Sequence, residues 1–493
     1  MRKFTISMAL ALAFAAGPSA QQADAVKAAA AALGAGTLKT LQFTASGANF
    51  SVGQNFTPAD PWPRVTVKSY TASINFDTGS MRQELVREMG TTMPRGGGAP
   101  FTGEQRQIQV VSGNFAWNVA APAQAGGAAP PAAPAAGNAV ERMLMLWATP
   151  QGFVKAAMAN NATTRKVKGG TEVSFMVGGK YKMTGIINPQ NEVERVQTWI
   201  DQPIVGDMLV ETVYSGYKDF GGVRFPSRIV QSQDGFPALD LTIASVTANP
   251  AVDITVPDNV RTAQPAPVTV TSQKLADGVF YLTGGSHHSL AVEMKDHIVL
   301  VDVPQTEQRA LAVIAKAKEV IPNKPIRFLV TSHHHWDHLG GIRTAIDEGA
   351  TIVTHQTNKA FLERVAKTPH TINPDRLSMS KKPLKIQTVG DTGKLTDGTR
   401  TIELHLLKNY EHTGDMLVVY LPKEKILVEP DAFTPPATPT TPLVVTAVPY
   451  AAALYDNIKR LNLDVQVIVP LHGARTGDMA ELARLAGKAT AGN

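Results

Sequence analysis

The 493-residue sequence predicts an α+β chain of two domains, a mainly antiparallel β domain followed by one in which strands and helices alternate. Three observations predict it. From residue 64 to residue 246, runs with polar–apolar alternation, rich in Val, Ile and Thr, are separated by turn residues. Residues 249–267 are Pro-rich and polar, which places a boundary there. From Val268 onward strand runs alternate with helical patterns, and one strand run leads into Thr331-Ser-His-His-His-Trp-Asp-His338.

Taken in order, Arg2 and Lys3, the apolar run Phe4–Ala16 and the small residues Gly17-Pro-Ser-Ala20 read as a signal peptide over 1–20. Cleavage is expected between 20 and 25, and the mature protein is expected to be periplasmic or secreted. Ala25–Leu38 is helix-prone. Strand patterns follow at 64–76 and, after the turn Asp77-Thr-Gly-Ser80, at 81–88. Residues 105–111 and 114–119 form a further hairpin around Ser112-Gly113. Two low-complexity pieces, 91–103 with its Gly96-Gly-Gly98 and the Ala/Pro/Gly stretch 120–137, read as mobile surface insertions. Residues 141–160 carry a helical spacing that Pro150 divides. Strands at 172–177, 181–187, 193–200, 208–217, 224–230 and 239–246 complete an antiparallel domain over 25–260. The meander with one helical cover resembles, in architecture, the curved sheets of periplasmic lipoprotein-carrier domains.

The second domain, 268–490, begins with strands at 279–282, 289–294 and 298–301, the last ending in Asp302. A helix over 307–320 precedes the strand 326–330 and the histidine cluster. Next come a strand at 350–354, a helix at 359–366 and an insertion at 369–382. Strands at 401–407, 416–421 and 425–428, a helix at 450–461, a strand at 465–469 and a helix at 479–486 follow. The two halves are expected to fold separately.

Composition excludes several chemistries. There is no cysteine, hence no disulfide, thiolate ligand or cysteine nucleophile. The formal net charge of +6 is spread thinly, with no dense Lys/Arg block, so no nucleic-acid partner is expected. No stretch is long and apolar enough for a transmembrane helix. A small-molecule substrate is the expected partner.

The chemistry concentrates at the histidine cluster. In an extended loop, residues two apart face the same side, so His333 and His335 can share one metal ion, and Asp337 and His338 would then face a second centre close by. Imidazoles with a carboxylate suit zinc well, and iron or manganese less selectively. His334 is expected to point away from its neighbours. Three further candidates lie beside strands: His412 in Tyr410-Glu-His-Thr-Gly-Asp415, Asp431 in Glu429-Pro-Asp431, and His472 in Leu471-His-Gly473. His287 and His288, in Gly284-Gly-Ser-His-His-Ser289, either line the mouth of the site or form a polar turn, the reading slightly favoured. His355 and His405 read as strand residues without a role.

The order HxHxDH, His, Asp, His resembles the metallo-β-lactamase superfamily, from about Val268 to the C-terminus. The resemblance implies an αββα sandwich and two metals, zinc first and iron or manganese as alternatives. It implies that His333, His335 and His412 hold one metal, that Asp337, His338 and His472 hold the other, and that Asp431 bridges them. Asp302 would steady the loop and a ligand ring from behind, the alternative being an ordinary strand-end aspartate. A hydroxide between the metals would attack the substrate, with Asp337 accepting its hydrogen bond. Asp431 stands where one group of β-lactamases has cysteine, and another group lacks a bridging carboxylate. The related lactonases carry a tyrosine three residues beyond the bridging aspartate, where this chain has Thr434; Tyr450 and Tyr455 are the candidates to replace it. These departures lead to an exported hydrolase of an ester, lactone or amide. The alternatives are a mononuclear iron persulfide dioxygenase-like enzyme, a β-lactam hydrolase, or a binding module with a vestigial metal site.

Overall fold

The computed structural model describes residues 19–90, 94–98, 100–120, 130–438 and 448–488, with side chains from residue 25. The signal-peptide expectation falls on residues 1–18, outside the described residues, apart from Ser19 and Ala20. Among the described residues no helix is long and apolar enough to cross a membrane.

The N-terminal half is one thirteen-stranded antiparallel sheet. The strand Thr40–Phe50 lies in its interior, between Arg64–Asn75 on one side and Phe236–Ala248 on the other. Alternating burial along these strands turns one face toward a helical cover. That cover is made of Ser19–Ala32, Ala139–Ala148 and Pro150–Ala159, whose Leu144, Leu146, Phe153 and Val154 are buried. Pro150 opens the third helix at its first turn, where a missing N–H costs nothing. Alternation located most of these strands. The pattern does not mark Thr40–Phe50 or Thr163–Val167, the first because Gly47 and several small residues dilute it. The proline-rich boundary is partly packed: Val260, in the short helix Asp258–Arg261, is buried with Ile108, Val110 and Trp117.

The C-terminal half is an αββα sandwich. A seven-stranded sheet from Thr271–Ala276 to Lys385–Val389 faces a five-stranded sheet from Thr392–Thr396 to Val467–Pro470. Strands such as Ile298–Val301 and Leu417–Leu421 are buried throughout their length, as expected of sheets covered on both faces. Val301, Val330, Val353, Val419, Val428 and Val469 meet between the sheets. Helices Glu307–Val320, Ile342–Glu348 and Lys359–Val365 cover one outer face, and Val448–Arg460 with Met479–Leu485 the other. The neighbouring parallel strands Ile298–Val301 and Ile326–Val330 end at Asp302 and the histidine loop. The parallel pair Ile426–Glu429 and Val467–Pro470 ends beside Asp431 and His472. Asp302, His333, His335, Asp337, His338, Asp431 and His472 thus lie at or just beyond the carboxyl ends of parallel strands, where such sheets gather ligand chemistry, whereas His412 and His287 follow antiparallel strands.

The halves touch along two lines. At one, the Asp207 carboxylate accepts the backbone N–H groups of Thr371 and Ile372, and Arg364 forms a two-pronged pair with Asp234. The stretch 369–382, expected to be an insertion, is therefore a docking element with its own short helix, Arg376–Ser380. At the other line, N-terminal loops reach the histidines. There Gly96 and Gly97, expected in a mobile surface insertion, are buried. The second low-complexity stretch lies in part, at 121–129, outside the described residues; its end Ala133–Pro134 pairs with Trp117 and Asn118 as an edge strand.

Candidate metal centre

The strand Ile326–Val330 delivers the chain into Thr331–His335, and the short helix Trp336–Leu339 then turns Asp337 and His338 back toward the same space. Asp302, at a left-handed φ of 54°, faces this loop and organises it. One carboxylate oxygen accepts the Ser332 backbone N–H at 2.8 Å; the other accepts the Ser332 hydroxyl at 2.6 Å and His338 Nδ1 at 2.9 Å. The Ser332 oxygen in turn lies 3.1 Å from His333 Nδ1. With its own proton on Asp302, it acts there as an acceptor.

Three sets of potential donor atoms converge within 4.8 Å among the described residues. The first is His333, His335 and His412. The second is His287, Asp337 and His338. The third, His333, His338 and Asp431, ties the first two together. Asp431 Oδ2 lies 3.4 Å from His333 Nε2, 3.3 Å from His412 Nε2 and 3.1 Å from His338 Nε2. His472 belongs to none of the three sets; its ring lies beside that of His287, centroids 4.2 Å apart.

The structure adds one donor to those expected from the sequence. It is His287, less visible there because two adjacent histidines after Gly-Gly-Ser suit a polar turn equally well. Its Nε2 lies 3.1 Å from Asp337 Oδ2, and its Nδ1 is 2.9 Å from Ser286 Oγ, which accepts from the Gln305 amide. Arg309 is buried beneath this turn and donates to the carbonyls of Thr269, Thr283, Gly284 and His287. His288 turns away, to the Gly473 carbonyl. His334 also points away, between Asp415 and the Asn55 side chain. His355 is a strand end bonded to Thr357, and His405 bonds Glu403. Tyr450 stands beside His412, centroids 5.5 Å apart, whereas Tyr455 lies with Lys459.

These residues fit metal ions, and the unpartnered atoms say so. His333 Nε2, His335 Nδ1, His338 Nε2, His412 Nε2 and Asp431 Oδ2 are all buried without a hydrogen-bond partner. Buried polar atoms are normally satisfied, so five orphans gathered in overlapping sets fit a positively charged ligand such as a metal ion. Nitrogen and carboxylate donors in this number suit zinc.

Burial and charge set the protonation. Burial, reinforced by neighbouring histidines, drives His333 and His335 far below the usual histidine range, which keeps them neutral. Burial also opposes charge on His338, but Asp431 and Asp302 outweigh it and hold that ring above the usual range. Asp337 and Asp431 are depressed: burial would raise them, and the facing histidines prevail.

Six histidines, His288, His333, His335, His355, His370 and His472, are shifted down by burial, and His338 alone is shifted up. As pH falls through about 6.5 the unfolded chain takes up protons on the six more readily than the fold does, so they withdraw stability below that value. His338 has the opposite sign and offsets one of them. Metal-free protein is expected to have a lower urea midpoint at pH 5 than at pH 7.5, and a higher one would contradict this protonation pattern.

The metallo-beta-lactamase superfamily model matches residues 282–472. No curated protein matches the chain. Among solved structures, the chain is similar to a metallo-beta-lactamase from Pontibacter korlensis, at 20% identity over 45% of this chain and 98% of that one, TM-score 0.35. It is also similar to the DIM-1 metallo-beta-lactamase, at 21% identity over 44% of this chain and 96% of that one, TM-score 0.34.

Proposed function

We propose, from the premise that residues 282–472 belong to the metallo-β-lactamase superfamily, that the chain is an exported hydrolase with two metal ions, zinc in first place, acting on an ester, lactone or amide. The observation that carries this reading is the gathering of four orphaned histidine nitrogens and Asp431 Oδ2 in overlapping sets that share His333. His333, His335 and His412 would hold one ion. Asp337 and His338 would hold the other, with His472 as the superfamily resemblance implies or His287 as the geometry favours. Asp431 would touch both.

When bound, the ions would polarise the substrate oxygen and lower the pKa of water toward neutrality. The chain's residues do the positioning. Asp337 remains a carboxylate at neutral pH, so it accepts hydrogen bonds and orients rather than protonates. Exposed Ser286 and Thr434, with half-buried Asp337 and His472, border the accessible side, where a small substrate would enter.

Metal analysis of protein purified without chelator, together with turnover on ester, lactone, amide, β-lactam and phosphodiester panels, tests the reading. Two zinc ions per chain with ester, lactone or amide turnover is the expected result. One iron and no hydrolysis would replace it with the dioxygenase reading. Metal content of His287→Ala and His472→Ala decides which histidine serves the second ion.

A further inference from the structure

We propose that the N-terminal domain is a working part of the metal centre: its loops hold two of the ligand histidines in the metal-binding tautomer and position Asp337. This rests on the metal-site reading above and adds to it a role for residues outside the matched domain.

The argument starts from hydrogen-bond polarity. A backbone carbonyl only accepts, so a neutral imidazole facing one must carry its proton on that nitrogen, leaving the lone pair on the other. His335 Nε2 faces the Asn55 carbonyl at 2.8 Å, and His412 Nδ1 faces the Gly97 carbonyl at 2.5 Å. The opposite nitrogens, His335 Nδ1 and His412 Nε2, are among the orphaned donors. His333 and His338 are set in the same way by Ser332 and Asp302, from within the catalytic half. Two of the four rings thus take their tautomer from one domain and two from the other. The N-terminal half also supplies Gln54, whose amide donates to Asp337 Oδ1 at 2.8 Å.

The loops that do this are built for the contact. Along the histidine loop, 333, 335 and 337 face the metal space while 334 and 336 face the N-terminal half. Trp336 packs edge-on against buried Trp62, and Gly53 lies so close that an added Cβ would stand 2.5 Å from the indole. Phe56 accepts the Gly414 N–H through its carbonyl, and Gly96 donates to the Glu411 carbonyl, bracketing His412. Gly97 donates to the Gln54 carbonyl, joining the two N-terminal loops. Gly96 has a φ of +86°, and a Cβ there would meet the Gln54 carbonyl at 2.7 Å. A side chain at Gly96 therefore displaces the carbonyl of the next residue from His412.

Groups that orient ligands typically contribute about ten- to a hundred-fold to metal affinity. In full-length protein, Gln54→Ala and Gln54→Glu should weaken one zinc about ten-fold or more in competition with a chromogenic chelator, and Gly96→Val should weaken the other. Gln54→Glu keeps the size of the side chain but replaces a donor with a charge facing Asp337, so a loss at least equal to that in Gln54→Ala separates positioning from packing. The absorption spectrum of cobalt-loaded Gly96→Val should also shift. Arg364→Ala, which loosens the docking far from the histidines, should retain parental zinc affinity. Melting of the metal-free variants identifies any that fail to fold, and the Gln54 pair, in a half-exposed loop, does not depend on Gly96→Val folding. Loaded parent protein with both Gln54 variants at parental affinity would overturn this proposal alone. A parent that takes up no metal would remove the metal-site reading itself.

Discussion

Asp431→Ala should leave one tightly held metal per chain and lower hydrolysis steeply. A carboxylate offers two oxygens, and Asp431 Oδ2 is placed between nitrogens of both histidine sets. Removing it would take away an anion able to offset the repulsion between two bound cations and to fix their spacing. The set His333, His335 and His412 keeps all three of its nitrogens and should hold its ion. The other centre, reduced to Asp337, His338 and one further histidine, should empty first on dialysis. Metal per chain, melting temperature and turnover on the same variant check this. Two firmly held metals with near-parental turnover would reduce Asp431 to a turn residue.

Asp302→Ala should be the more damaging change to the fold. Its side chain is fully buried and satisfies three donors, the Ser332 N–H, the Ser332 hydroxyl and His338 Nδ1. Each orphaned buried donor costs about 1–3 kcal/mol, so a loss on the order of 3 kcal/mol or more is expected. His338 also loses the acceptor that keeps its lone pair on Nε2, so the zinc served by Asp337 and His338 should weaken alongside stability. Asp302→Asn separates the effects. Its amide retains one acceptor oxygen but turns a donor toward groups that need an acceptor, so it should fold better than the alanine variant and still bind that zinc poorly. Calorimetry and chelator competition read the two quantities independently.

Much of this was legible in the sequence. The sandwich strands are short, β-branched and buried on both faces, and the metal-ligating types sit at their ends in a fixed order. Period-two spacing was enough to separate His333 and His335 from His334. What stayed hidden depends on contacts that no local pattern encodes. His287 is drawn into the site by buried Arg309, some twenty residues further on. Gly96-Gly-Gly98 has the composition of a solvated insertion, and only the proximity of Gln54 and His412 gives it a place. The role of Asn55 is exerted through its carbonyl, which every residue possesses, so its identity carried no signal.

The placement of Thr40–Phe50 inside the N-terminal sheet has a kinetic consequence. The loop bearing Gly53, Gln54 and Asn55 leaves the end of this strand, and the strand is completed on one side by Phe236–Ala248, with Leu41 opposite Ala248. Pairings so distant along the chain close slowly, since a long loop must be ordered before the contact rewards it. The C-terminal half is built largely from nearer neighbours. On refolding, the sandwich should therefore gain its secondary structure before the Asn55 carbonyl arrives, and tight zinc capture should lag behind it as a separate, slower phase.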